Sequence, residues 1–203
     1  MRTYAVTRDF GLFTPDKNII SEVNAVFQSD WDNADTNGGI TPELHESRLL
    51  WSPVNSLNKL KLLILSANKN IKLMVENLGN DQIENALIEK AKEGVKIQVM
   101  TPGCVIGDAL HNRPFIKLLQ ENNIPNKVSI ANPDAEHPYI HAKMILVDNQ
   151  YFYFGSENFS FNSLLKAREL GIITANVEKA NKLATIFDHD WNNAVSPDSV
   201  TCR

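Results

Sequence analysis

The stretch His141–Asn158, HAKMILVDNQYFYFGSEN, decides how the rest of the chain is read. Two apolar runs, Met144–Val147 and Tyr151–Phe154, flank the turn-forming pair Asp148-Asn149, which is the pattern of a buried β-hairpin. Its polar residues gather at the two ends. His141 and Lys143 stand two apart before the first strand, so an extended backbone sends both side chains off one face of the sheet. The return strand ends at Gly155, whose lack of a Cβ permits close approach, and Ser156 and Asn158 then come back beside His141 and Lys143.

Outward from the hairpin, strands and helices alternate. A strand is expected at LLWSP (49–53), a helix over Ser56 to Ala67, a strand at IKLMVEN (71–77) and a helix over Asp81 to Glu93. That helix carries Ile83, Ala86, Leu87 and Ala91 on one face and Gly94 as its stop. VKIQVMTP (95–102), a helix around Leu110 to Asn122 and KVSIA (127–131) complete the run into the hairpin. The alternation argues for an α/β sheet covered by helices on both faces. Tyr151 to Phe154 read as core, because a base-stacking platform would want basic neighbours.

The chain also repeats itself. Residues 7–34 align without a gap on residues 167–194 with eight identities, among them Arg8/Arg168, Gly11/Gly171, Phe27/Phe187, Asp30/Asp190 and Trp31/Trp191, and Asp9 falls on Glu169. Each copy reads as a short strand and an amphipathic helix, with Thr14 and Pro15 opening the first helix and Asn176 capping the second. Residues 1–34 thus form the tail of one structural unit, the polar segment 35–47 a linker, and 48–195 a complete second unit.

With 203 residues, 43% of them hydrophobic, the chain can bury one sizeable core, and its net charge of −4 gives no global attraction to nucleic acid or anionic membranes. Cys104 and Cys202 have no metal-binding spacing and read as two ordinary thiols. No apolar run approaches the roughly 20 residues of a membrane span, and no secretory signal opens the chain, so a soluble, by default cytoplasmic, protein is expected unless a preceding part is missing.

The hairpin fits H-x-K-x4-D-x6-G-S-x-N through His141, Lys143, Asp148, Gly155, Ser156 and Asn158, a pattern met by chance in on the order of one chain in a few hundred thousand. It resembles the signature of the phospholipase D superfamily, and GSENFSFNSLLKARELGIIT (155–174) looks like its bacterial phospholipase D-like and cardiolipin-synthase-like branch. The resemblance implies a mixed β-sheet flanked by helices on both faces, and a metal-independent phosphodiesterase or phosphatidyl transferase without cofactor. In that chemistry His141 is the nucleophile that becomes a phosphohistidine, and Lys143, Asn158 and the Ser156 hydroxyl hold the phosphate oxygens. Glu169, at the family's spacing after the Gly-Ser-x-Asn turn, is expected to accept from Nδ1 of His141 and leave Nε2 to attack. Asp148 reads as a residue that ties the hairpin turn.

The superfamily's usual mechanism needs two such motifs, and this chain carries one. The other histidines, His45, His111, His137 and His189, have no lysine two residues later. Asp9 reads either as the orienting carboxylate of a lost first motif or as an ordinary solvated charge. Turnover would draw the second motif from a homodimer partner or from an N-terminal half. Glu76, at the end of IKLMVEN, is either a substrate-binding group at a strand end or a solvated acid. A phosphodiester is the expected partner, phospholipid ahead of nucleic acid. The rival readings are a nuclease of the same superfamily and an inactive fragment or phosphate-binding module.

Overall fold

The computed structural model describes residues 6–35, 41–105 and 111–202. The chain divides into two units, Gly11–Leu49 and the remainder, Met1–Phe10 with Leu50–Arg203. The division cuts the first repeat after its strand: β1 (Thr7–Arg8) belongs to the larger unit and α1 (Lys17–Asp32) to the smaller.

In the smaller unit the helix is capped by Asp16, not by Thr14 as the sequence suggested. The Asp16 carboxylate accepts from the Asn18 and Ile19 N–H groups at 3.0 and 3.3 Å, while Thr14 Oγ1 takes the N–H of Asp16 itself. A carboxylate serves the open N–H groups and the positive helix end together, which a hydroxyl does not. The repeat carried this signal, since Asp16 aligns with Asn176, the cap of α6 (Val177–Asn193). Ile19 and Val26 are buried, but Phe27 is 63% exposed and stacks on Trp31, whereas its repeat counterpart Phe187 is fully buried.

The larger unit is built on a seven-stranded mixed sheet. In chain order its elements are β2 (Leu49–Ser52), α2 (Ser56–Leu65), β3 (Asn70–Met74), β4 (Leu78–Gly79), α3 (Asp81–Lys92), β5 (Lys96–Thr101), α4 (Arg113–Glu121), β6 (Asn126–Val128), β7 (Tyr139–Ile140), β8 (Met144–Val147), β9 (Tyr151–Gly155), β10 (Phe159–Ser160), α5 (Phe161–Leu165), β11 (Glu169–Ala175) and α6. The sheet order is β2-β11-β9-β8-β3-β5-β6. From β11 to β3 neighbours run antiparallel, and β3, β5 and β6 run parallel. Two small parallel pairs, β1 with β7 and β10 with β4, stand beside it.

Alternation along β8 shows why both faces are covered. Ile145 and Val147 pack in a cluster with Leu60 and Ile64 of α2 and Ile83 and Leu87 of α3. Met144 and Leu146 pack with Ala180, Leu183 and Phe187 of α6. Full burial of each such side chain stabilises by about 1.5–3 kcal/mol, so the hairpin is anchored from above and below. α3 ends where expected, with Gly94 in the left-handed region at φ 89°. α4 begins at Arg113, and Leu110 of its expected span lies outside the described residues. Phe152 and Tyr153 are buried in the core, while Tyr151 faces solvent.

The expected state of the two cysteines is overturned. Cys104 and Cys202 are not free thiols but a disulfide across a sequence separation of 98, with Cα atoms 5.7 Å apart. A small apolar cluster of Ile116, Val128 and Val200, with both cysteines packed on it, brings the C-terminal segment to this edge. Spacing along the chain carries no trace of that convergence. Among the described residues no helix is long and apolar enough to cross a membrane.

Candidate active site

The site forms where β7 ends and β8 begins. β1 and β7 pair in parallel with Arg8 opposite Ile140, and the N–H of His141 donates to the Arg8 carbonyl at 3.2 Å. β1 is held in turn by Arg8, whose guanidinium donates to both carboxylate oxygens of buried Asp190 on α6 at 2.6 and 2.8 Å. The residue after Arg8 is therefore delivered to the histidine: Asp9 Oδ1 lies 2.8 Å from Nδ1 of His141. This corrects the expected His141–Glu169 bond. Glu169 instead accepts from Ser163 Oγ at 2.7 Å, because the Nδ1 side of His141 faces β1. Asp9 is thus engaged with the His141 ring.

Lys143 lies under the histidine, only 6% exposed, and its ammonium donates to the His141 carbonyl and to Glu76 Oε2, the latter at 3.3 Å. Glu76 follows β3 and lies between Tyr139, Lys143 and His141. Its Oε1 accepts from the Tyr139 hydroxyl at 2.7 Å, and its Oε2 stands 3.6 Å from Nε2 of His141. Burial pushes the Glu76 carboxyl up, but the Tyr139 hydroxyl, the Lys143 ammonium and His141 together outweigh it and hold it below the ordinary value. Burial lowers Lys143 against the opposing pull of Glu76, Asp9 and Glu169. Tyr139 escaped the sequence reading, although it precedes His141 by two and so shares its side of the strand.

The Gly-Ser-x-Asn turn is held at each residue. Ser156 Oγ accepts the Leu170 N–H at 3.1 Å and its own N–H donates to the Leu170 carbonyl at 3.0 Å, which makes Ser156 a tie to β11. Asn158 Oδ1 accepts the Asn77 N–H at 3.0 Å, so its NH2 is the end left to donate. Gly155 is required by neighbours other than those expected. It pairs with Gly171 across β9 and β11, and a Cβ on either would collide with the Glu157 carboxylate. Asp148 sits at the far end of the hairpin, left-handed at φ 53°, and accepts the N–H groups of Asn68, Lys69 and Asn70 at 2.8–2.9 Å. It sets the start of β3 and takes no part in the constellation around His141. His137 is engaged with Asp134.

The arrangement joins an imidazole with a carboxylate at Nδ1 to a mostly buried cation, groups that an anionic tetrahedral centre requires. A family model described as cardiolipin synthase, PLD-like domain, matches residues 60–191. The chain belongs to the phospholipase D-like family. Over 56 residues this phospholipase D-like chain is 38% identical to the 5′-3′ exonuclease PLD3 of Rattus norvegicus, and to that of Homo sapiens. The matched stretch is 27% of this chain and 12% and 11% of those relatives, so the likeness spans only about an eighth or less of their length. Among solved structures, the phospholipase D family member Nuc from Salmonella typhimurium superposes with a TM-score of 0.65 at 21% identity, covering 72% of this chain and 94% of that one. NucT from Helicobacter pylori gives 0.62 at 18% identity, over 73% and 96%. Polyphosphate kinase from Porphyromonas gingivalis gives 0.63 at 14% identity, over 94% of this chain and 30% of that one. These structures share the phospholipase D-like fold.

Proposed function

We propose that the chain is the histidine-bearing half of a phospholipase D-like phosphodiesterase or phosphatidyl transferase that works through a phosphohistidine at His141. The observation that carries the reading is the 2.8 Å contact between Asp9 and Nδ1. With the ring proton held on Nδ1, the Nε2 lone pair is free to attack phosphorus. As the N–P bond forms, the bond from phosphorus to the departing alcohol breaks, while Lys143 and the Asn158 amide take up charge on the non-bridging oxygens. The departing oxygen needs a proton. A second histidine supplies it, then activates water or an acceptor alcohol, whose attack breaks the N–P bond and frees His141. No metal enters this scheme.

The second motif comes from a homodimer partner or an N-terminal half. Asp9 of the first repeat serves the histidine of the second unit, so by the same relation Glu169 is the residue suited to the other motif's histidine. The exposed Phe27 and Trp31 of α1 support an N-terminal half, because their counterparts Phe187 and Trp191 pack with the sheet residues Met74, Met144 and Phe152. Glu76 is the substrate-binding carboxylate of the site, facing donors on the group next to the phosphate. The family model's description favours phosphatidyl transfer. The likeness to a 5′-3′ exonuclease supports a second reading, cleavage of nucleic acid, against which the net charge of −4 weighs.

The test offers phosphatidylglycerol vesicles and single-stranded DNA in parallel. Lipid turnover that survives chelators and is lost in His141→Ala is expected. DNA cleavage with steep salt dependence would transfer the reading to a nuclease, and a monomer inert on both would leave a phosphate-binding module.

A further inference from the structure

Between Ser156 and Asn158 of the Gly-Ser-x-Asn turn lies a residue that the proposed chemistry leaves unused. Side chains alternate along this turn, with Ser156 exposed, Glu157 inside and Asn158 half-buried. Glu157 is fully buried, yet charged residues are seldom placed so deep without a role for the carboxyl group. Its Oε1 accepts from Ser56 Oγ at 2.9 Å, at the first turn of α2, and its Oε2 accepts from the Tyr153 hydroxyl of β9 at 2.8 Å. The facing glycines Gly155 and Gly171 leave the space that the carboxyl fills.

We infer that Glu157 is a positioning residue for Asn158: its buried carboxyl pins the turn to α2 and β9 and so fixes where the Asn158 amide points. The inference rests on the reading of Asn158 as a phosphate donor. Three consecutive residues are thereby anchored to different parts of the fold, Ser156 to β11, Glu157 to α2 and β9, and Asn158 to the backbone after β3. A turn held this way presents the amide without reorganising when an anion arrives, which is what preorganised stabilisation requires.

The carboxyl is also responsive to pH. Burial, helped by the nearby Glu169, pushes it up to about 7 against the pull of Tyr153 and Ser56. Tyr153 on β9 and Glu169 on β11 are the titratable groups that act on it, and Tyr153 is itself raised by burial and by Glu157. Its charge therefore changes in the neutral range directly beneath the turn.

The side-chain NH2 resonance of Asn158 in the full chain, assigned by its loss in Asn158→Asp, tests this without any substrate. In the wild type it should move with pH with a midpoint near 7, the value of the Glu157 carboxyl. In Glu157→Gln, which keeps the shape and matches the protonated carboxyl with one acceptor and one donor end, it should keep its low-pH position and stop titrating. In Glu157→Leu, which leaves the Ser56 and Tyr153 hydroxyls unserved, it should move or split. A wild-type resonance insensitive to pH, or the same titration in Glu157→Gln, would overturn the inference. A protein inert on every phosphodiester would sink the functional reading and leave this result standing or falling by itself.

Discussion

Replacing Glu157 with glutamine should stabilise the protein at alkaline pH and leave it unchanged at acid pH. The carboxyl ionises at about 7 in the folded chain against an ordinary 4.5, because burial penalises the anion. The folded state thus keeps the proton to higher pH than the unfolded state. Stability from this group is full near pH 4.5, declines as pH rises toward 7 and is flat above it. At 1.36 kcal/mol for each pH unit between the two values, the wild type gives up on the order of 3 kcal/mol over that window. Glutamine has no proton to lose and avoids the decline. Urea unfolding followed by circular dichroism at pH 5 and pH 8 is the assay, and unchanged slopes would show that stability alone had moved. At pH 5, just inside the window, the two proteins should differ by less than about 1 kcal/mol, and the variant's midpoint should lie higher at pH 8 by about 1 M. Glu84 on α3, likewise pushed up to about 7 by burial and Asp81, contributes equally to both proteins and cancels in the comparison. An identical difference at both pH values, or a wild type favoured at pH 8, would refute the reasoning.

Asp9→Asn removes the charge-assisted hydrogen bond that fixes the His141 tautomer, worth about 1.5–3 kcal/mol, so kcat should fall at least about tenfold with KM little changed. An unaltered kcat would return Asp9 to the status of a solvated charge. The Cys104–Cys202 link closes a loop of 98 residues, for which chain entropy sets a ceiling of about 4.7 kcal/mol. The Cys104→Ser, Cys202→Ser double variant should therefore unfold at a clearly lower urea concentration, and two alkylatable thiols in the unreduced wild type would contradict the bond.

The fold was largely legible in the sequence because its signals are local. Alternating β8 and β9, the turn pair Asp148-Asn149 and the Gly94 stop each announce themselves within a few residues. The site was legible in composition but not in wiring. Lys143 lies against the His141 carbonyl, as two residues on one side of a strand should, yet the partner of the His141 ring depends on a two-residue parallel pairing that joins positions 132 apart. Glu169 lay at the expected spacing, but spacing does not reveal which carboxylate the chain delivers to Nδ1. Glu76 could be placed at a strand end, while its burial against Tyr139 and Lys143 arises only once β3 and β8 lie side by side. The disulfide and the Glu157 cradle share that character: each is a convergence of distant segments with no periodic trace.

The most direct measurement is the covalent intermediate itself. The full chain is mixed with a labelled phosphodiester, denatured in alkali, which preserves phosphohistidine, and mapped by mass spectrometry. A phosphoryl-bearing adduct on His141, absent from His141→Ala and formed in wild type with chelator present, is the expected result. An adduct on any other residue, or turnover by His141→Ala at the wild-type rate, would contradict His141 as the nucleophile.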